Sequence, residues 1–98
     1  MGGHDTVDVV RAEERSRFEA LLETEVVGFI DYESGESEVL TLTHTEVLLE
    51  GQGIGSRLAK ETLDHLLQTG ETFHVTCPFI RGWIRRHEEY LERIDLHP

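Results

Sequence analysis

The chain has 98 residues, enough to enclose one hydrophobic core and too few for two. Hydrophobic residues make up 38% and charged residues 30%, a soluble globular mixture, and no apolar run approaches the ~20 residues that a membrane helix requires. Twenty acidic against nine basic side chains give a formal net charge of -11, so neither nucleic acid nor an anionic membrane surface is expected as a partner.

Cys77 is the only cysteine; no intrachain disulfide can form, and the expected location is cytoplasmic. The first thirty residues lack the apolar stretch of a secretory signal. Gly2 and Thr6 fit the myristoylation pattern, but without the polybasic segment that would make such an anchor effective. Residues 1–5 are expected to be flexible, and the whole chain, 1–98, to form a single domain.

Residues 7–10 are β-branched and short, and predict a first strand. Residues 12–23 support two readings: Arg, Glu, Ala and Leu favour helix, whereas Phe18, Ala20 and Leu22 alternate with polar neighbours as a half-buried strand does. Residues 25–32 are rich in strand formers, and Glu33, Ser34, Gly35 and Glu36 supply a tight reversal, which predicts a hairpin. The returning run, 37–47, predicts a long central strand with Leu40, Leu42, His44 and Glu46 on one face and Val39, Thr41, Thr43 and Thr45 on the other.

The period then changes. Ile54, Leu58, Thr62 or Leu63, Leu66 and Leu67 recur at helical spacing and Gly70 stops the pattern, giving a helix over about 53–69. Residues 72–77 are again strand-like and end at Pro78, which lacks the N–H a continuing strand needs. Residues 79–86 and 88–93 have helical composition, with Ile80, Trp83, Ile84 and Leu91 as the apolar stripe. A strand, a helix and a further strand imply a parallel pair with a right-handed crossover, while the preceding hairpin is antiparallel. The expected fold is α+β, with a mixed, mainly antiparallel central sheet and a glycine-loop/helix crossover.

The most informative stretch is 47–58, VLLEGQGIGSRL, where Gly51, Gly53 and Gly55 alternate between a strand and the first turn of a helix. Glycine permits positive φ and close approach of a ligand, so successive backbone N–H groups can converge on an anion at the helix N-terminus, and a diphosphate fits that geometry. The spacing is neither a Walker loop nor the Rossmann fingerprint. The same glycines would also serve a turn that binds nothing.

The glycine loop follows a strand carrying His44-Thr45-Glu46-Val47. It precedes a strand ending in Cys77-Pro78-Phe79, and then Ile84-Arg85-Arg86-His87-Glu88-Glu89-Tyr90. This arrangement, from about Phe18 to Tyr90, resembles the small single-domain GNAT-like N-acetyltransferases. The resemblance implies acetyl-coenzyme A as co-substrate, with its pyrophosphate on the loop formed by Glu50, Gly51, Gln52, Gly53, Ile54, Gly55 and Ser56. It places the pantetheine arm beside the central strand at Thr45 and Val47, and favours a strand at about 17–22. In the family's Gln/Arg-x-x-Gly-x-Gly/Ala pattern, Glu50 takes the first place, Gly53 the fourth and Gly55 the sixth. Glu50 departs from the usual Gln or Arg, and a carboxylate there disfavours a nearby diphosphate unless it points to solvent. The chain also lacks the additional elements with which larger relatives build an acceptor pocket.

A thioester is already activated, but an alkylammonium of pKa ~10.4 is free amine only to about one part in a thousand at neutral pH. Deprotonation and positioning are therefore the catalytic tasks. Glu46 and His44 are the nearest candidate bases by position; each also reads as an ordinary strand-end or hydrogen-bonded residue. Cys77 supports three readings: a nucleophile that takes the acetyl group, helped by Arg81, Arg85 and Arg86; an acid that protonates the departing thiolate; or a buried packing residue. Arg85 and Arg86 either pair with coenzyme phosphates or with Glu88, Glu89 and Glu92. Phe79 and Trp83 read as core. His87-Glu88 begins a zincin-like pattern, but Leu91 stands where its second His is needed, and the remaining histidines lack ligand spacing, so no metal site is expected.

The reading is an acetyl-coenzyme A-dependent N-acetyltransferase acting on a primary amine, with a non-catalytic coenzyme A-binding module or a protein-interaction domain as the alternative. The acceptor is not specified by these residues, and an exposed sheet edge could pair with a second copy.

Overall fold

The computed structural model describes residues 7–35 and 37–96. The expectations for residues 1–5, for the Gly2 and Thr6 pattern and for Glu36 fall outside these. Strand β1 (Val7–Ala12) turns through a 3-10 segment (Glu13–Arg15) into β2 (Arg17–Leu22), followed by β3 (Glu25–Ser34), β4 (Leu40–Val47), α1 (Ile54–Thr69), β5 (Phe73–Val75), α2 (Pro78–Arg85) and α3 (Glu88–Leu91). The strands form one five-stranded sheet in the order β1-β2-β3-β4-β5, antiparallel except for the parallel β4–β5 pair. The expected mixed, mainly antiparallel α+β architecture is the one found.

Within the ambiguous segment 12–23, a 3-10 turn at Glu13–Arg15 leads into the strand β2, Arg17–Leu22, where the resemblance implied one. Local helix propensity yields because β2 pairs along both edges, with β1 and with β3, and sends Phe18 and Ala20 into the core at 2% and 0% exposure. β1 runs two residues beyond the expected strand, carried by pairs Arg11↔Phe18 and Ala12↔Arg17. β4 starts at Leu40 rather than at residue 37, because Glu38 takes φ 62° and the hairpin closes through Gly35 N–H donating to Val39 O at 3.0 Å.

The face assignment of the central strand is corrected at its midpoint. Asp31 pairs with His44 but Tyr32 pairs with Leu42, so Thr43 is an extra residue and the alternation shifts by one at that bulge. Leu40 and Leu42 therefore share the core face with Thr45 and Val47, while His44 and Glu46 lie on the opposite, exposed face.

The amphipathic α1 lies across β1 to β4 and buries Ile54, Leu58, Ala59, Thr62, Leu63 and Leu66. Gly70 ends it at φ 79°, its N–H donating to Leu66 O. α2 packs against β4 and α1, and the helices with the inner sheet face enclose one core.

β5 is shorter than expected. Its pairing with β4 stops at Leu42↔Val75, where the N–H groups of Thr76 and Cys77 both turn onto Leu42 O at 3.0 Å, and Pro78 begins α2 at once. β4 continues to Val47, so the two strands part over its last five residues.

The outer sheet face carries Glu19, which is 3% exposed and capped by Arg15 (Nε to Oε2, 2.9 Å) and Arg17 (Nη1 to Oε2, 3.7 Å), with the Arg17 guanidinium 3.7 Å above the Phe29 ring. The hydrogen bond from Arg15, opposed by burial, holds the Glu19 carboxyl below the usual carboxylate range. The hydrogen bond from Arg11 does the same for Glu71. At Asp64 burial pulls upward, but the hydrogen bonds from Tyr90 and Lys60 outweigh it. A depressed folded pKa contributes stability above the unfolded value and loses it as pH falls through the folded one. The thermal midpoint is therefore expected to fall as pH is lowered from about 5 to about 3. Glu19→Gln should flatten part of that slope in a melting series against pH. No helix among the described residues is long and apolar enough to cross a membrane.

Candidate functional site

Beyond β4, Leu48 N–H donates to Val27 O at 2.8 Å, and the chain loops to α1 through Gly51 at φ +84° and Gly53 at φ +68°. L-residues pay a steric penalty in this left-handed region, which explains glycine at both positions. Gly53 caps the helix without a side chain, and Arg57 N–H donates to Gly53 O at 3.1 Å as the first turn closes. The amides of Ile54, Gly55 and Ser56 have no acceptor among the described residues, as the opening amides of a helix do not unless a cap or ligand supplies one.

These amides border a cleft of about 460 Å³ between the loop and α2. Val47, Leu49, Glu50, Gly51 and Gly53 form its loop side, Ile54, Gly55 and Ser56 its helix end, and Phe79, Trp83, Arg86 and His87 its far wall. A Cβ on Gly55 would lie 2.8 Å from Phe79 Cζ and 3.4 Å from Val47 Cγ2, so glycine is what lets the Phe79 ring approach the helix start. Glu50 and Arg86, both exposed, are the charged residues that line the cleft. Gln52 is exposed and does not line the cleft, and the same is true of Arg85.

Where β4 and β5 part, Thr45 Oγ1 and buried Cys77 Sγ lie 3.2 Å apart. Arg81 is committed elsewhere, its Nη1 donating to Val75 O at 2.8 Å. On the outer face, His44 Nε2 is 3.0 Å from Glu46 Oε1, both side chains about half exposed. A carboxylate only accepts, so Nε2 carries the hydrogen in that bond and the neutral ring keeps its free lone pair on Nδ1. The structure thus brings Thr45 to Cys77 on one side of the sheet and His44 to Glu46 on the other, at adjacent positions of one strand. No group of His, Cys, Asp or Glu among the described residues could hold a metal ion.

A family model described as GCN5-related N-acetyl-transferase matches residues 17–94. The chain belongs to the GCN5-related N-acetyltransferase family. The fold is a minimal form of that family's, and membership supports acyl transfer in general, with acetyl-coenzyme A as the family's usual co-substrate. Among proteins similar in sequence, Protein NATD1 of Bos taurus is 36% identical over 67 residues, 64% of this chain and 59% of that protein. Protein NATD1 of Homo sapiens is 34% identical over the same share of each chain, and that of Mus musculus 34% identical over 61% of its length. The chain thus matches about three fifths of the length of these relatives.

Of the four residues on the far wall of the cleft in this GCN5-related domain, only Arg86 is among the expected coenzyme-binding residues. Trp83 is core as expected, at 3% exposure, and also borders the cleft, whereas Phe79, expected to be core, is 40% exposed and lines it together with His87 and Arg86. Positions 79, 83 and 86 follow the i, i+4, i+7 spacing of one helical face, which was the available signal, while His87 follows just beyond α2 in an extended conformation.

Proposed function

We propose that this chain binds acetyl-coenzyme A in the cleft between the glycine loop and α2 and transfers the acetyl group to a primary amine. The observation that carries this is the row of unpaired amides at Ile54, Gly55 and Ser56, set beside the gap between β4 and β5. The diphosphate is assigned to those amides and to Arg86, and the pantetheine arm to the unpaired edge of β4 at Thr45 and Val47. That direction takes the thioester toward Thr45 and Cys77.

The acceptor enters from the outer side through the gap where β4 and β5 part, and His44, oriented by Glu46, is the base at that opening. The free amine nitrogen attacks the thioester carbonyl, the amine proton goes to His44 Nδ1, the C–S bond breaks, and the departing thiolate takes a proton from Cys77 or water. A thiol carries one hydrogen that it can donate, which suits Cys77 to the acid role. Its burial at 2% exposure and its Thr45 contact also suit a packing role. The second reading is a coenzyme-binding module without efficient transfer, favoured by the absence, among the described residues, of any helix over the outer sheet face.

Trp83 is the only tryptophan and lines the cleft, so its emission is the binding reporter. Titration with acetyl-coenzyme A is expected to change it saturably. Incubation with a panel of amines should then release free coenzyme A thiol above the hydrolysis background, with His44→Ala slowing release by about 100-fold, as loss of a general base does. No emission change at millimolar acetyl-coenzyme A would remove the proposal. Binding without amine-dependent release would leave the module reading. Undiminished transfer by Cys77→Ala and Cys77→Ser would make that residue a packing group.

A further inference from the structure

The Trp83 indole, 3% exposed, is held on several sides. His87 stacks on it with ring centroids 3.8 Å apart and planes 14° from parallel, and His87 Nδ1 donates to the Trp83 carbonyl at 2.7 Å. Tyr90 meets the indole nearly edge-on at 4.9 Å and is itself tied to Asp64, its hydroxyl donating to Oδ1 at 2.7 Å. A ring so confined directs its one N–H along a fixed line, and Nε1–H donates to Ser56 Oγ at 2.9 Å, from α2 to the first turn of α1.

A hydroxyl has one hydrogen and two lone pairs. One lone pair of Ser56 is taken by the indole, and the neighbouring amides at the helix start are donors that cannot accept. Among the described residues the Ser56 hydrogen has no acceptor. An unrestrained serine in a first turn can spend its hydrogen on a nearby backbone carbonyl or on water. Here the bond to Trp83 holds Oγ beside the unpaired amides, and a group that only accepts hydrogen bonds completes the set.

We infer that Trp83 is a positioning residue. It fixes Ser56 so that the hydroxyl joins the amides of residues 54–56 in donating to the coenzyme diphosphate, and so offsets part of the repulsion from Glu50. This rests on the coenzyme reading above.

The test is calorimetric titration of coenzyme A into the intact chain and into Trp83→Phe, Ser56→Ala and the double variant. Phenylalanine retains a six-membered ring against His87 and Tyr90, loses the N–H and leaves a smaller side chain in the core, and Ser56 is exposed, so both variants are expected to fold. Each single change should weaken binding about tenfold, the value of one hydrogen bond to a charged group. The double variant should bind no more weakly than Ser56→Ala, since both changes remove the same bond. The same loss is expected with 3′-dephospho-coenzyme A, which keeps the diphosphate. Trp83→Phe binding within twofold of the parent, losses that multiply to about 100-fold in the double variant, or a loss confined to the 3′-phosphorylated ligand would each overturn the inference while the coenzyme reading stands. Failure of the parent chain to bind coenzyme A at millimolar concentration would overturn that reading and this inference together.

Discussion

Gly28→Val is expected to lower the thermal midpoint by roughly 10–20 °C, the effect of about 3 kcal/mol of overpacking on a domain of this size. Gly28 lies in β3 opposite Ala20 and Val47, directly beneath the first turns of α1. A Cβ there would stand 2.9 Å from Ile54 Cγ2, 3.0 Å from Leu58 Cδ1 and 3.1 Å from Glu46 O. The Leu58 methyl could swing aside, but Ile54 is branched at Cβ and fully buried, and the Glu46 carbonyl is backbone held in the β3–β4 ladder. Relief therefore requires α1 to lift at its N-terminal end, which also displaces the amides of Ile54, Gly55 and Ser56. Melting and coenzyme titration on Gly28→Ala and Gly28→Val should show stability and affinity falling together. A valine variant melting within 3 °C of the parent would mean that this approach of helix to sheet is looser than described.

Gly55→Val should separate those two properties. The residue is inside α1, where a side chain is better for the helix than glycine, so the propensity gain of a few tenths of a kcal/mol up to about 1 kcal/mol opposes the clash with Phe79. Phe79 is 40% exposed and can rotate away at modest cost, so the midpoint should move by only a few degrees. The cleft does not escape so easily. The valine methyls and the displaced ring both occupy space beside the unpaired amides, and denying the diphosphate even one charge-assisted hydrogen bond, together with the steric conflict, weakens coenzyme binding on the order of 100-fold. The measurement is the affinity for acetyl-coenzyme A alongside the melting midpoint. Parent-like affinity in Gly55→Val would place the ligand elsewhere on the molecule.

The residues that announce themselves in the sequence are those whose type is dictated locally. Gly51 and Gly53 are legible because their positive φ excludes ordinary side chains, Gly70 because it ends a helix, and Pro78 because it cannot continue a strand. The hydrophobic period of α1 is equally local. Segment 12–23 was not legible from its composition, only from the family resemblance that implied a strand at about 17–22, since its helix-favouring residues are overruled by pairing along two strand edges that lie elsewhere in the chain. Nor was the direction of His44 and Glu46. Simple alternation puts them with Leu40 and Leu42, and nothing in Thr43 itself signals that it is the extra residue of a bulge.

The sequence by itself determined the element order, the mixed sheet and the glycine loop at a helix start, because hydrophobic period, turn chemistry and the left-handed backbone act over a few residues. Only the tertiary structure decided what surrounds that loop. It turned Phe79 and Trp83 of α2, with Arg86 and His87 just beyond its end, toward the cleft, tied Trp83 to Ser56 across 27 positions and set Thr45 against Cys77 across 32. These relations depend on where β4 and β5 part and on how closely α1 settles over Gly28, and both are fixed by packing between segments distant in the chain.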